Sequence, residues 1–275
     1  MSTFNLPNAT PPIPVALPSN LPQEALLSFP AFKNWLATLQ HSLSLQSNKS
    51  HTFHANPYAL KSIEVQAVDW FGKRPGFIKL QAKVENDKGE SLPGAVFLRG
   101  GSVAMLLILQ PDDVSTDTEK DKHVLLTVQP RIAAGSLELI ELPAGMLDDG
   151  TFSGTAAKEI QEETGLEVPE SELVNMTELA SASTSSSNGV ERLQTAMYPS
   201  PGACDEFIAL FLHQKRIPRS QLDEFRGKLT GLRDEGEKIT LKLVRLEDLW
   251  RESGRDAKAL AAWAMYQGLR GEGKV

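Results

Sequence analysis

Cysteine is nearly missing from this sequence: Cys204 is the only one in 275 residues. That excludes an intrachain disulfide and a cysteine-based zinc site, and it fits a reducing compartment. Long apolar runs are missing too. No stretch reaches the ~18 residues that a membrane-spanning helix needs, so no membrane span is expected. Basic residues are in deficit, with 28 Lys and Arg against 35 Asp and Glu, for a net charge of −7. No basic stripe offsets that balance, so nucleic acid is not an expected partner. A small polyanion is still an acceptable substrate, because a metal ion can supply positive charge locally. The opening MSTFNLPNATPPIPVALPSNLP lacks the basic start and apolar stretch of a secretory signal and the arginines of a mitochondrial presequence. A cytoplasmic protein is therefore expected. Neither a phosphate-binding G-x-x-x-x-G-K-[ST] loop nor a G-x-S-x-G nucleophile elbow occurs.

What is present reads as an ordinary globular protein, 41% hydrophobic and 23% charged, long enough to bury a core. Prolines punctuate residues 1–20, so residues 1–29 are expected to be a disordered tail. From Pro30, helical spacing of Phe32, Trp35, Leu36 and Leu39 predicts a helix ending near His41. Residues 62–70 and 76–86 alternate apolar and polar side chains and predict two strands joined by the FGKRPG turn. Residues 103–109, 123–129, 136–143, 206–213 and 238–246 predict further strands, with helices at 155–165 and 256–270. The segment ASASTSSSNG (180–189) is low in complexity and predicts a flexible surface insertion. Cys204 has no histidine near it in sequence to make it a nucleophile, and His51 and His54 lie in a polar connector.

The informative stretch is ELPAGMLDDGTFSGTAAKEIQEETGLEV (141–168). Its helix, with Ser153 or Thr155 as candidate caps, carries Glu159, Glu162 and Glu163. Spacing of i, i+3 and i+4 puts the three carboxylates on one face. Each like-charge i, i+4 pair costs about 0.2–0.5 kcal/mol in an isolated helix. A divalent cation would remove that cost and find hard oxygen ligands suited to Mg²⁺ or Mn²⁺. Glutamates on helices are more commonly a plain solvated face, and Lys158 stands where it can pair with Glu162. Spacing alone leaves both readings open.

The sequence around these glutamates resembles the Nudix box. Lys158-Glu159-Ile160-Gln161-Glu162-Glu163-Thr164-Gly165-Leu166 is similar to its second half, Arg-Glu-apolar-X-Glu-Glu-X-Gly-apolar, with Lys158 in the place of arginine. The ELPAG lead-in (141–145), QPRI (129–132), SPGACDE (200–206) and GLRDEGEKITLKLV (231–244) resemble elements of the ADP-ribose and ADP-sugar pyrophosphatases. FGKRPGFIKL and VFLRG resemble the N-terminal strands of plant ADP-sugar diphosphatases. Two positions depart from the pattern: the loop from Gly145 is one residue short, and Thr151 stands where the first glutamate belongs.

The resemblance implies an α/β (α+β) Nudix fold, a mixed β-sheet sandwiched between helices. It implies a helix and antiparallel β extension over residues 30–100 that serves dimerisation, and a hydrolase domain over 101–275. It implies Mg²⁺- or Mn²⁺-dependent cleavage of a nucleoside diphosphate sugar, such as ADP-ribose or ADP-glucose, to AMP and a sugar phosphate. The metal ligands it implies are Glu159, Glu162, Glu163, Glu237 and the backbone carbonyl of Ala144. The catalytic residues are Glu162 with Glu235 or Glu237 as base. Arg99, Arg131, Glu206 and an aromatic, Trp70 or Phe71, would hold the substrate, the aromatic across a homodimer interface. Two other readings stand beside it: a weakened box that binds an ADP-ribose-like ligand without cleaving it, and a hydrolase of another nucleoside diphosphate derivative.

Overall fold

A computed structural model describes residues 2–116, 118–147, 151–181, 191–232 and 237–275. The low-complexity segment and Glu235 fall outside or largely outside these. The chain divides into two compact units. One is built on Met1–Gly101 and adds Ser200–Phe207; the other takes in the chain following Ser102, with Thr195–Pro199 and Ile208–Val275.

The first unit contains β1 (Ser2–Asn5), β2 (Pro14–Leu17), α1 (Gln23–Ser28), α2 (Pro30–Ser44), β3 (Tyr58–Phe71), β4 (Arg74–Asn86), β5 (Ser91–Leu92) and β6 (Ala95–Leu98). The expected disordered tail is a correction, because residues 2–28 are folded. Strand β1 pairs antiparallel with β2, and β2 pairs parallel with β3. Leu6, Val15, Leu17, Leu21 and Leu26 are buried in one core with Phe32, Ile63, Ile78 and Leu80. Proline punctuation does not forbid this. Pro14 is the first residue of β2, a place where a missing N–H is tolerated, and β1 is an edge strand. The two long strands β3 and β4 form a hairpin whose alternation buries Leu60, Ile63, Val65, Ile78, Leu80, Ala82 and Val84.

The second unit contains β7 (Ser102–Pro111), β8 (His123–Arg131), β9 (Ser136–Glu141), β10 (Ala144–Met146), α3 (Phe152–Thr164), β11 (Val174–Asn175), α4 (Met176–Ser181), β12 (Ile208–Ile217), α5 (Arg219–Glu224), β13 (Leu229–Thr230), β14 (Ile239–Arg245), α6 (Leu249–Glu252) and α7 (Ala257–Gly271). Its sheet runs β11-β12-β7-β8-β14-β13, with β10 beside β7 and β9 beside β8. It is mixed: β12 is parallel to β7, and the other described pairings are antiparallel. Every residue of β7 is buried, because helices cover both faces. Ala104, Leu106 and Ile108 face a core with Met176, Leu249, Ala262, Tyr266 and Leu269 from α4, α6 and α7. Val103, Met105, Leu107 and Leu109 face the opposite core, with Ala156 and Ile160 of α3 and Leu222 of α5. This is why the sequence of β7 is a continuous apolar run and not an alternation. The expected sandwich of a mixed sheet between helices is what the chain forms.

Candidate functional site

The site is built where α3 lies against the β9–β10 segment. Thr151 caps α3: its Oγ1 accepts from the Gly154 N–H at 3.1 Å, ahead of the expected Ser153 or Thr155. So the residue that stands in the place of a glutamate fixes the helix start. Gly165 ends the helix at φ 77°, in the left-handed region that favours glycine. Thr155, Ala156, Ile160 and Thr164 turn into the core, and Glu163 shares their face.

Glu163 is therefore 5% exposed. Its Oε1 accepts from Gln129 Nε2 at 3.3 Å, and its Oε2 accepts from the Ala144 N–H at 3.0 Å. Burial, then the charge of Glu159, push its pKa from 4.5 up to about 8; the bonds from Gln129 and Ala144 pull the other way without prevailing. Glu159, one turn earlier, presses its carboxyl against Gly145. A Cβ on Gly145 would collide with the Glu159 carboxyl, so only glycine leaves that carboxyl in place. Two carboxylates thus sit beside each other, one of them buried, and among the described residues no cation offsets the charge of Glu163. Such an oxygen-only pair fits a hard divalent cation.

The remaining predicted residues distribute differently. Glu162 turns to Lys158 Nζ at 3.6 Å, an exposed i, i+4 pair. Glu237 is exposed and its Oε2 accepts from the Leu232 N–H at 3.3 Å, within its own loop. Glu235 lies outside the described residues. Among the described residues, no three His, Cys, Asp or Glu side chains converge in ligand geometry. The expected five-ligand set is thus gathered only as far as Glu159, Glu163 and the backbone of Ala144.

Arg131 ends β8, and its Nε donates to Glu141 Oε1 at 2.6 Å. Glu141 is buried at the end of β9, and its other oxygen accepts from Lys258 Nζ at 3.0 Å. Lys258 also donates to Asp256 Oδ1 at 2.9 Å. Burial works against the charge on Lys258, but Asp256 and Glu141 outweigh it and raise its pKa. Asp256 caps α7 through the Lys258 N–H and accepts from the Leu142 N–H at 2.9 Å.

In the first unit, Arg99 and Glu206 are brought together at 3.0 Å. Asp205 accepts from the Arg99 and Gly100 N–H groups at 2.7 and 3.1 Å. The Nε of Arg99 is buried with no hydrogen-bond partner among the described residues. Trp70 and Phe71, at the tip of β3, are 37% and 42% exposed. Phe71, Phe77 and Phe97 form a chain of ring contacts at 4.9 and 5.3 Å.

Sequence reasoning quoted Gln129, Glu141 and Gly145 within motifs without giving them a site role, and it gave none to Asp256 or Lys258. Two signals were there to read: an acidic residue ending an apolar strand, and an Asp at the start of a strong helix. An open cavity of about 800 Å³ lined by Lys122, Arg245, Trp263 and Arg270 is a separate feature. It lies at the His123 end of β8, and Gln129 and Arg131 are at the other end. Its cations Lys122, Arg245 and Arg270 are paired with Glu119, Asp121 and Glu247.

The NUDIX domain family matches residues 114–263, more than half of the chain, including all of α3. The chain belongs to the NUDIX family. It is 36% identical over 247 residues to Nudix hydrolase 14, chloroplastic, of Arabidopsis thaliana, covering 89% of this chain and 72% of that relative. A solved structure described as that of an ADP compounds hydrolase is similar at a TM-score of 0.47 and 16% identity, covering 79% of this chain and 99% of the other. The chain is a Nudix hydrolase, and the helix picked out by its glutamates lies within the matched region. No helix among the described residues is long and apolar enough to cross a membrane.

Proposed function

We propose that this Nudix chain hydrolyses the pyrophosphate of an ADP-sugar, ADP-ribose or ADP-glucose, to AMP and a sugar phosphate, with Mg²⁺ or Mn²⁺. One observation carries the reading: Glu163 is buried beside Glu159 with its pKa pushed up to about 8, a cost the fold bears at one place on α3. A buried carboxyl whose pKa is moved this far by burial and a neighbouring carboxylate is a functional candidate. The divalent ion, when bound, offsets phosphate charge and makes water a better nucleophile at neutral pH.

The chain's own residues supply the rest. Glu159 and Glu163 would hold the ion, with the Ala144 carbonyl and Glu162, whose tie to Lys158 is weak at such exposure. Glu235 or Glu237, on the loop before β14, would take the proton from the attacking water. Arg131 offers its Nη groups to phosphate, since Glu141 takes only the Nε–H. Arg99, with its unpartnered Nε, and Glu206 would contact substrate. Trp70 or Phe71 would stack on adenine. The exposed aromatic group they form with Phe97 supports a homodimer through residues 30–100, because a free patch of this kind favours burial. The compartment proposed is cytoplasmic; the chloroplast named for the relative is the alternative, and fractionation decides between them.

The test is AMP release from ADP-ribose, ADP-glucose, ADP-mannose, NADH and coenzyme A with Mg²⁺ or Mn²⁺. Metal-dependent turnover of an ADP-sugar, lost in Glu162→Gln and Glu163→Gln, supports the reading. Tight ADP-ribose binding without turnover of any substrate overturns it in favour of a ligand-binding domain. Turnover confined to NADH or coenzyme A moves the substrate class.

A further inference from the structure

The C-terminal helix reaches the candidate site through a chain of buried charges. Lys258 and Asp256 start α7, more than a hundred residues after Glu141 and Arg131. Yet Asp256, Lys258, Glu141 and Arg131 are linked in series by contacts of 2.9, 3.0 and 2.6 Å. The side chains of Asp256, Lys258 and Glu141 are 4, 15 and 3% exposed. The charges balance, two acids against two bases, so no ion is needed to complete the set. Arg131, at 41%, is the one member that opens outward.

This arrangement does more than hold α7 in place. Glu141 fixes one edge of a planar guanidinium, and a guanidinium held on one edge presents the other in a set direction. Glu141 itself is held on its second oxygen by Lys258. Asp256 ties the same helix end to the Leu142 N–H, two residues before Ala144, whose own N–H holds Glu163.

We propose that Lys258 and Asp256 are positioning residues for the substrate, acting through Glu141 to aim Arg131 at a phosphate. The inference rests on the pyrophosphatase reading above for the identity of that phosphate. Lys258 touches no substrate in this scheme. Its loss frees Glu141 to swing between partners, and Arg131 loses its preset direction before it loses its charge.

The test uses the full chain and two readouts. One is the Kd for α,β-methylene ADP-ribose, which cannot be cleaved, by calorimetry. The other is kcat and KM for ADP-ribose with Mg²⁺. Lys258→Met is expected to weaken analogue binding and raise KM about tenfold, with kcat changed less than about twofold. Lys258→Arg is expected to restore most of the loss. In an Arg131→Ala background, Lys258→Met is expected to add nothing, because the group it aims is gone. If Lys258→Met does not fold, Glu141→Gln with Lys258→Met removes one charge of each sign and is expected to show the same weakened binding.

An unchanged Kd in the folded variant overturns the proposal. So does an effect that multiplies with that of Arg131→Ala, which would mark Lys258 as a general support. The Kd separates this failure from that of the function: a protein that binds the analogue but turns over nothing refutes the pyrophosphatase reading while the Lys258 comparison still stands or falls on its own. A wild-type protein that does not bind the analogue refutes both.

Discussion

Two pairs of acids sit on either side of the Leu142–Pro143 step, and they are treated in opposite ways. Glu141 and Asp256 are buried with Lys258, Arg131 opens outward from the same set, and every charge has a partner. Glu159 and Glu163 are placed side by side, and Glu163 is buried with only an amide side chain and a backbone N–H to receive it. The first arrangement is what a fold does with buried charge when it needs nothing from outside. The second leaves Glu163 with a pKa pushed up to about 8, which is a cost without a structural return. An external cation therefore belongs at Glu163, the buried acid whose charge burial and Glu159 both oppose.

The largest effects are expected at Glu163 and Glu159. Glu163→Gln and Glu159→Gln are each expected to cut metal-dependent turnover by about 100-fold or more, measured as AMP release at saturating metal. Activity within a factor of about three of wild type would move the site off α3. Gly145→Ala is the steric version of the same test. The new Cβ would meet the Glu159 carboxyl, so that side chain must leave its place. Turnover is expected to fall about 10–100-fold, with stability in urea changed by less than about 1 kcal/mol, because the carboxyl is the far end of a flexible side chain.

A pH series sharpens the comparison without any substrate. The folded-state pKa of Glu163 is raised from 4.5 to about 8 by burial and by Glu159. A raised carboxylate imposes no penalty below the unfolded value. The penalty grows as pH rises through the window between 4.5 and about 8, because the native state holds the proton more tightly. In metal-free protein, Glu163→Gln should therefore match the wild-type Tm near pH 4.5 and exceed it by several degrees above pH 8. Added Mn²⁺ should close the gap by stabilising the wild type alone. Equal Tm values across the range would show that the buried carboxyl costs the fold nothing.

The smallest effect is expected on the exposed face of the same helix. Lys158→Ala removes an i, i+4 partner 63% exposed and should change stability by less than about 0.5 kcal/mol. A large loss of turnover with unchanged stability would instead give Lys158 the role of the arginine it replaces.

How much of this was legible in the sequence differs between the two pairs. Local pattern carried the glutamate helix and its stop at Gly165, and the continuous apolar run of β7, but it set the helix start a few residues late, because the cap is Thr151. The i, i+3, i+4 spacing named Glu159, Glu162 and Glu163, yet it could not say that Glu163 is buried and Glu162 turned to Lys158. That depends on which face the core takes, and Ala156 and Ile160 decide it. Glu141 and Asp256 each left a local signal, but nothing local joined them into one set. Glu141 and Lys258 are far apart in sequence, and each alone reads as a surface charge. The first 28 residues were misread because prolines signal breaks, while the burial of Leu6, Val15 and Leu17 depends on a partner strand, β3, some fifty residues on. Glu237 was named as a ligand from its place before β14, but its carboxylate rests on its own loop.

The most direct test is Mn²⁺ binding to the full chain, followed by electron paramagnetic resonance, for wild type, Glu159→Gln, Glu163→Gln and Glu141→Gln. Binding that is weakened about tenfold or more in the first two variants and kept in Glu141→Gln is the predicted result. Equal binding in all four proteins, or a loss confined to Glu141→Gln, would contradict the assignment of the cation to Glu159 and Glu163.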